Sequence, residues 1–128
     1  MKFCSVIIAY HNNEYLFLER PNHNFVPPCG GIEKSEDPRD CATRELFEET
    51  GINISKNDLL LLDYWSNNFI FSFIFIARVL NKKVTISNEH INYIWEKNLE
   101  LMQHKTDFDL SKWPLFRNLN EFYMRDKL

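Results

Sequence analysis

The chain has no basic excess, no paired cysteine spacing and no apolar run long enough to cross a bilayer, and each absence removes a class of function. Its 15 Lys and Arg stand against 18 Asp and Glu, giving a formal net charge of −3 and a pI near 5.8. That balance lacks the electrostatic footprint of a nucleic-acid polymer binder, and no local run of basic residues supplies one. Three cysteines, Cys4, Cys29 and Cys41, make an odd count with neither a disulfide framework nor zinc-ligand spacing. A reducing cytoplasm is therefore the expected compartment. The opening MKFCSVIIAY is too brief for a secretory signal with a cleavage site. The apolar stretch over 69–80 falls short of the roughly 20 residues a membrane span needs, so no membrane partner is expected. No internal repeat or low-complexity segment is visible.

What is present is enough for one core. Of 128 residues, 45% are hydrophobic and 15% aromatic, which suits a single domain over 1–128 and leaves no room for a second. Residues 3–10 and 15–19 are β-rich runs separated by His11-Asn12-Asn13-Glu14, a hairpin signal. From 20 to 29 the chain reads as irregular, because Pro27-Pro28 forbids a ladder interior. Residues 59–65 and 69–80 predict two strands joined at Ser66-Asn67-Asn68. The second is apolar at nearly every position and is expected to lie centrally. Residues 87–95 alternate as a half-buried strand, with Ile91, Tyr93 and Trp95 set against His90, Asn92 and Ile94. A short helix is expected over 97–103 and a second over about 110–125. His90 and His104 are isolated and read as structural or surface residues.

The informative stretch is GGIEKSEDPRDCATRELFEETGI, residues 30–52. Asp37 is a good N-cap, Pro38 suits the first turn and Gly51 is a natural C′ residue, so a helix is expected over about 38–50. At about 100° per residue, Glu45, Glu48 and Glu49 share one side of it. Ala42, Leu46, Phe47 and Thr50 are placed to pack inward. Glu45 and Glu49 are like charges at i, i+4, and Glu48 and Glu49 meet the negative end of the helix dipole. Each placement costs from a few tenths to about 1 kcal/mol in an isolated helix. A hard divalent cation with oxygen ligands would reverse that cost, and Glu36 can join the same site from the loop. Gly30 and Gly31 allow close approach of a ligand or a positive φ. Arg44 can reach Glu48 at i+4 and hold a carboxylate. The same acids on an ordinary protein would be only a solvated face.

The spacing from Gly30 through Glu36, Arg44, Glu45, Glu48 and Glu49 to Ile52 resembles the Nudix box at every specified position. By average residue usage a chance match at a given start is on the order of one in a billion. The resemblance implies an α/β/α sandwich with a mixed β-sheet, Mg²⁺ or Mn²⁺ as cofactor, and hydrolysis of the pyrophosphate linkage of a nucleoside diphosphate derivative. Carried over by position, Glu48 and Glu49 are implied metal ligands, Glu45 a ligand or base, Glu36 a supporting acid and Arg44 an orienting partner. Glu89, ahead of an aromatic-bearing strand, resembles the acid that many Nudix enzymes bring toward the metal or its water. Phe25 stands where related enzymes often place an aromatic near the substrate, and it reads first as a lid over the core.

Two positions beside the box depart from the common pattern, Cys29 and Ser35, where relatives commonly have glycine. Cys29 reads as a small packing residue rather than a nucleophile. Two further functions are weighed. A nucleotide- or metabolite-sensing domain without turnover would have no need of a base and several ligands, and prenyl-diphosphate isomerisation lacks an identifiable cysteine and glutamate pair. Either a monomer or a homodimer is compatible with the apolar content.

Overall fold

The computed structural model describes residues 1–106. In chain order the elements are β1 (Lys2–His11), β2 (Glu14–Glu19), β3 (Phe25–Val26), β4 (Cys29–Gly31), α1 (Pro38–Thr50), β5 (Leu60–Ser66), β6 (Ile70–Arg78), β7 (Asn92–Glu96) and α2 (Leu99–Gln103). A 3₁₀ turn at Lys56–Asp58 precedes β5. The strands form one mixed sheet in the order β3-β2-β1-β6-β5, with β4 also paired to β1 and β7 to β2.

The alternation of side chains along β1 explains why both faces are covered. Ile7 and Ala9 join Leu16, Leu18, Phe75 and Ala77 under Ala42 and Leu46 of α1. Val6, Ile8 and Tyr10 join Phe17, Ile74 and Ile76 under Leu99 and Met102 of α2. Helices thus lie on both faces of a mixed sheet, as the sandwich expectation requires. Strand β6 is central, running parallel to β1 over nine residue pairs and antiparallel to β5. That position accounts for its continuous apolar sequence.

The β1–β2 turn places Asn12 at φ 47° and Asn13 at φ 73°. Two successive positive φ values mark a type I′ turn, whose twist matches a hairpin. Helix α1 runs over Pro38–Thr50 as expected. The Asp37 carboxylate accepts from the Arg39 N–H at 2.7 Å, and Gly51 closes the helix at φ 75°.

Several expectations are corrected. Residues 20–29 are not irregular throughout: β3 and β4 lie either side of Pro27-Pro28, which keep both short. Phe47 does not pack inward but is exposed. The strand expected over 87–95 begins only at Asn92, because 87–90 form a turn closed by the His90 N–H donating to the Ser87 carbonyl. Within β7 both faces meet the core, Ile94 with the α2 layer and Trp95 with the α1 layer, while Ile91 and Tyr93 are exposed. The expected helix over about 110–125 lies outside the described residues.

Ser35 sits at φ 65°, the left-handed region that glycine occupies without steric cost. Ser35→Gly is expected to stabilise the protein by about 0.5–1 kcal/mol, raising Tm by about 2–4 °C in a thermal melt. An unchanged or lower Tm would count against strain at this turn.

Candidate active site

The site forms where the acidic side of α1 lies against β4. Gly30 matters here for close approach rather than for an unusual φ. A Cβ built on it would stand 2.1 Å from the Glu45 carboxyl carbon and 2.3 and 2.6 Å from its oxygens. The missing side chain is therefore the space that Glu45 occupies. Gly31 is less crowded, with the Lys2 side chain 3.2 Å from an equivalent Cβ.

Glu49 is the buried acid of the group, only 4% exposed. Its Oε1 accepts from the Cys29 N–H at 3.3 Å. Burial is the main force raising its pKa to about 9, followed by a hydrogen bond with Glu45 and that neighbour's charge, while the Cys29 amide pulls the other way. Near neutral pH Glu49 is accordingly protonated and hydrogen-bonded to Glu45. Glu89 is exposed, yet its charge also raises Glu49, which puts it within electrostatic reach of the pair.

Arg44 gathers the remaining acids. Its Nε and Nη2 donate to the two Glu36 oxygens at 2.8 and 3.0 Å, and its Nη1 donates to Glu45 at 2.8 Å and to Glu48 at 3.2 Å. Nη2 also reaches the Gly31 carbonyl at 3.2 Å. The bidentate guanidinium holds the Glu36 carboxyl well below the usual carboxylate range, at about 2. Glu33, which sequence reasoning passed over, pairs with Arg44 at 3.7 Å and donates its amide to Glu36. Glu48 remains more than half exposed at the rim.

The expected ligand set thus falls into two groups that overlap at Glu45. Glu49 is bonded to Glu45, while Glu36, Glu48 and Glu45 itself are drawn toward Arg44. Among the described residues no three acidic or metal-ligating side chains converge on one point as they stand. The donor chemistry nevertheless fits a hard divalent ion: carboxylate oxygens only, one of them buried and protonated, beside a glycine that leaves room. Glu45, Glu48 and Glu49 would hold such an ion after loss of the Glu49 proton, with Glu36 kept in place by Arg44.

The other expected residues separate clearly. Phe25 is half-buried against the α2-side core, its N–H bonded to the Lys105 carbonyl and its ring 5.9 Å from the Lys105 ammonium. It serves the core whatever else it touches. Burial pushes the Cys29 thiol up to about 12 and the Cys41 thiol up to about 11, so neither is a thiolate nucleophile at neutral pH. His104 is exposed at the end of α2. His90, expected to be structural or on the surface, is buried, and Arg20 lies close enough for its charge to act on both Cys29 and His90. Sequence spacing carries no signal for that grouping, since the three residues come from separate segments.

Residues 3–119 match the NUDIX domain family. The chain is 69% identical over 51 residues to an RNA pyrophosphohydrolase of Roseobacter denitrificans, a match covering 38% of this chain and 32% of that protein. It is 39% identical over 56 residues to an RNA pyrophosphohydrolase of Psychrobacter cryohalolentis, covering 43% and 32%. It therefore spans about a third of the length of these curated relatives. Among solved structures, a C. elegans Ap4A hydrolase binary complex superposes with TM-score 0.71 at 23% identity over 94% of this chain and 98% of that one. A bifunctional NMN adenylyltransferase/ADP ribose pyrophosphatase from Francisella tularensis, complexed with AMP and a Mn ion, gives TM-score 0.76 at 16% identity, covering 94% and 41%. Likeness at these identities establishes the fold, and the family match over residues 3–119 establishes the lineage: the chain belongs to the NUDIX domain family.

Proposed function

We propose that this protein is a divalent-metal-dependent hydrolase of the pyrophosphate linkage in a nucleoside diphosphate derivative. The observation that carries the reading is the Glu45–Glu49 pair, set against Gly30 and the Cys29 amide, in a chain whose Arg44 ties Glu45 to the other box acids Glu36 and Glu48. A bound Mg²⁺ or Mn²⁺ would polarise phosphoryl oxygens and lower the pKa of a water. The chain supplies the rest. Glu45 and Glu49 can give up and regain a proton at their facing oxygens. Arg44 fixes Glu36 and restrains Glu45 and Glu48, and the Gly30-Gly31 backbone admits a phosphate closely. Glu89 is a second acid within electrostatic reach of Glu49.

The RNA pyrophosphohydrolase relatives make a 5′-triphosphorylated RNA end one member of the substrate panel, beside nucleoside triphosphates, nucleotide sugars and dinucleotide polyphosphates. The net charge of −3 favours the small molecules over a long polymer contact. A metabolite-sensing domain without turnover is the competing function, and the complete acid set speaks against it. Release of phosphate or pyrophosphate should require Mg²⁺ or Mn²⁺ and fall by about 10²-fold or more in Glu48→Gln. Equal turnover by the wild type and this variant would sink the metal assignment. Tight metal-independent binding with no turnover across the panel would favour the sensor.

A further inference from the structure

The sheet carries an open aromatic face on the α1 side. Odd-numbered residues of β6 point that way, where Ala42 and Leu46 close over Phe75 and Phe73 lies at the margin of the same cluster. Nearer the start of β6 the rings stay open to solvent. Phe71 stands opposite Phe3 of β1, and Phe73 stands opposite Tyr64 of β5. The four rings form one cluster, with Phe3 6.0 Å from Phe71, Phe71 5.1 Å from Phe73, and Tyr64 5.6 and 5.7 Å from those two. Phe69 extends the row and is 75% exposed, beside Tyr64 at 52% and Phe3 at 49%. At 150–250 Å² per aromatic side chain, these three alone leave roughly 350 Å² of apolar surface in one patch. A contiguous patch of that size marks an interaction surface.

The face holds both a knob and a hole. The Asn67 Oδ1 accepts from the Phe69 and Ile70 N–H groups, each at 2.8 Å, and the Phe69 carbonyl accepts from the Lys2 N–H at 2.8 Å. The backbone beneath the projecting ring is thus fixed, so docking it costs little further freedom. Across β1 from β6, the Ile32 N–H donates to the Phe3 carbonyl, and a groove of about 500 Å³ opens between the box loop and the rings of Phe3 and Phe73.

We propose that this face pairs two copies of the chain about a twofold axis near the Phe3–Phe71 contact, the Phe69 of each copy entering the groove of the other. A twofold axis demands a surface complementary to itself, and a projecting ring beside a hole on the same face provides one. Lys2 and Glu33 both border the groove, so the rims can meet as unlike charges. The partly exposed Phe71, Phe73 and Ile32 and the groove walls carry the patch toward the roughly 800 Å² that each partner of a stable interface contributes. A nucleic acid suits the face less well, since the chain has a net charge of −3 and Glu33 stands at the rim. The pairing is independent of the hydrolase reading. It does touch the box, because Glu36 lines the groove and an occupant there would brace the loop that Arg44 holds.

Sedimentation velocity of the full chain over about 1–100 μM is the test, and it should show a monomer–dimer equilibrium within that range. Phe69→Glu removes the knob, and Ile32→Trp fills the hole. Each should raise the dissociation constant by about 30-fold or more. Phe47→Glu is the control, because that ring is equally exposed but stands on α1, and it should leave the equilibrium unchanged. Phe69 is too exposed for its loss to disturb the core, and thermal melts of all three variants confirm that they fold. A wild type that stays monomeric throughout, a dimer that Phe69→Glu leaves intact, or an equal loss in Phe47→Glu would overturn the pairing. Binding of a single-stranded oligonucleotide by a monomeric wild type, lost in Phe69→Glu, would also overturn it and assign the face to a nucleic acid.

Discussion

Glu49→Gln should give a protein that melts higher than the wild type at pH 8 without metal and hydrolyses its substrate about 10²- to 10⁴-fold more slowly. The two effects share one cause. The glutamine oxygen can still accept from the Cys29 N–H, and its amide can donate to Glu45, reproducing the protonated acid. What is lost is the ability to become a carboxylate. In the wild type the pKa of Glu49 is raised in the folded state from 4.5 to about 9, so folding takes up a proton. Its contribution to stability is complete below pH 4.5 and disappears as pH rises through 9. Metal-free wild type should therefore lose stability between pH 7 and 9, and the variant should show a flatter curve.

That window keeps other groups out of the comparison. The folded pKa of His90 is lowered by burial, so it contributes its pH dependence at and below the ordinary histidine range. Glu36 acts only between its depressed value and 4.5, and the buried thiols act from 9 upward. The same proton must leave before a cation can bind, so Mg²⁺ affinity should rise across pH 7–9 in the wild type alone. Parallel melting curves, or retained turnover in the variant, would remove Glu49 from the centre of the site.

Gly30→Ala is expected to be the most damaging single-methyl change in the loop. The added carbon would lie 2.1–2.6 Å from the Glu45 carboxyl, where ordinary carbon contacts begin near 3.5 Å. Glu45 cannot swing away freely, because Arg44 holds it at 2.8 Å and Glu49 is hydrogen-bonded to it. The clash should cost about 1–3 kcal/mol of stability, and displacement of a reacting group by about 1 Å should lower kcat by about 10²-fold. Gly31→Ala is the control, since its new methyl would meet only the flexible end of Lys2. Thermal melts and turnover of the two alanine variants, measured side by side, decide the point. Indistinguishable behaviour would mean that Glu45 does not depend on the space beside β4.

How much of this could be read beforehand depended on the range of the interaction. The α1 boundaries were legible to the residue because Asp37, Pro38 and Gly51 act within their own turns. The central place of β6 was legible because burial on both faces leaves an uninterrupted apolar run. The side of α1 bearing three glutamates followed from helical geometry, but their unequal fates did not. Glu49 is buried and protonated because β4 covers it, and Glu48 is exposed because no described residue does. β3 and β4 were missed because two- and three-residue strands have no periodicity of their own and exist only through pairing with β2 and β1. Phe47 was misplaced because its angle around the helix lies at the margin of the buried arc. His90 was read as an isolated ring because its setting depends on Arg20, 70 positions earlier in the sequence.

One edge of β1 is shared by two short partners, β4 at Cys4–Val6 and β2 at Tyr10–His11, joined between by the Ile7 N–H to the Pro28 carbonyl. The sheet is thereby forked, and the segment between Arg20 and Pro28 spans the fork. Lengthening or shortening that segment is expected to change the spacing of the two short partners while leaving the caps and acids of α1 in place, a change that melts and metal affinity of loop-length variants would check.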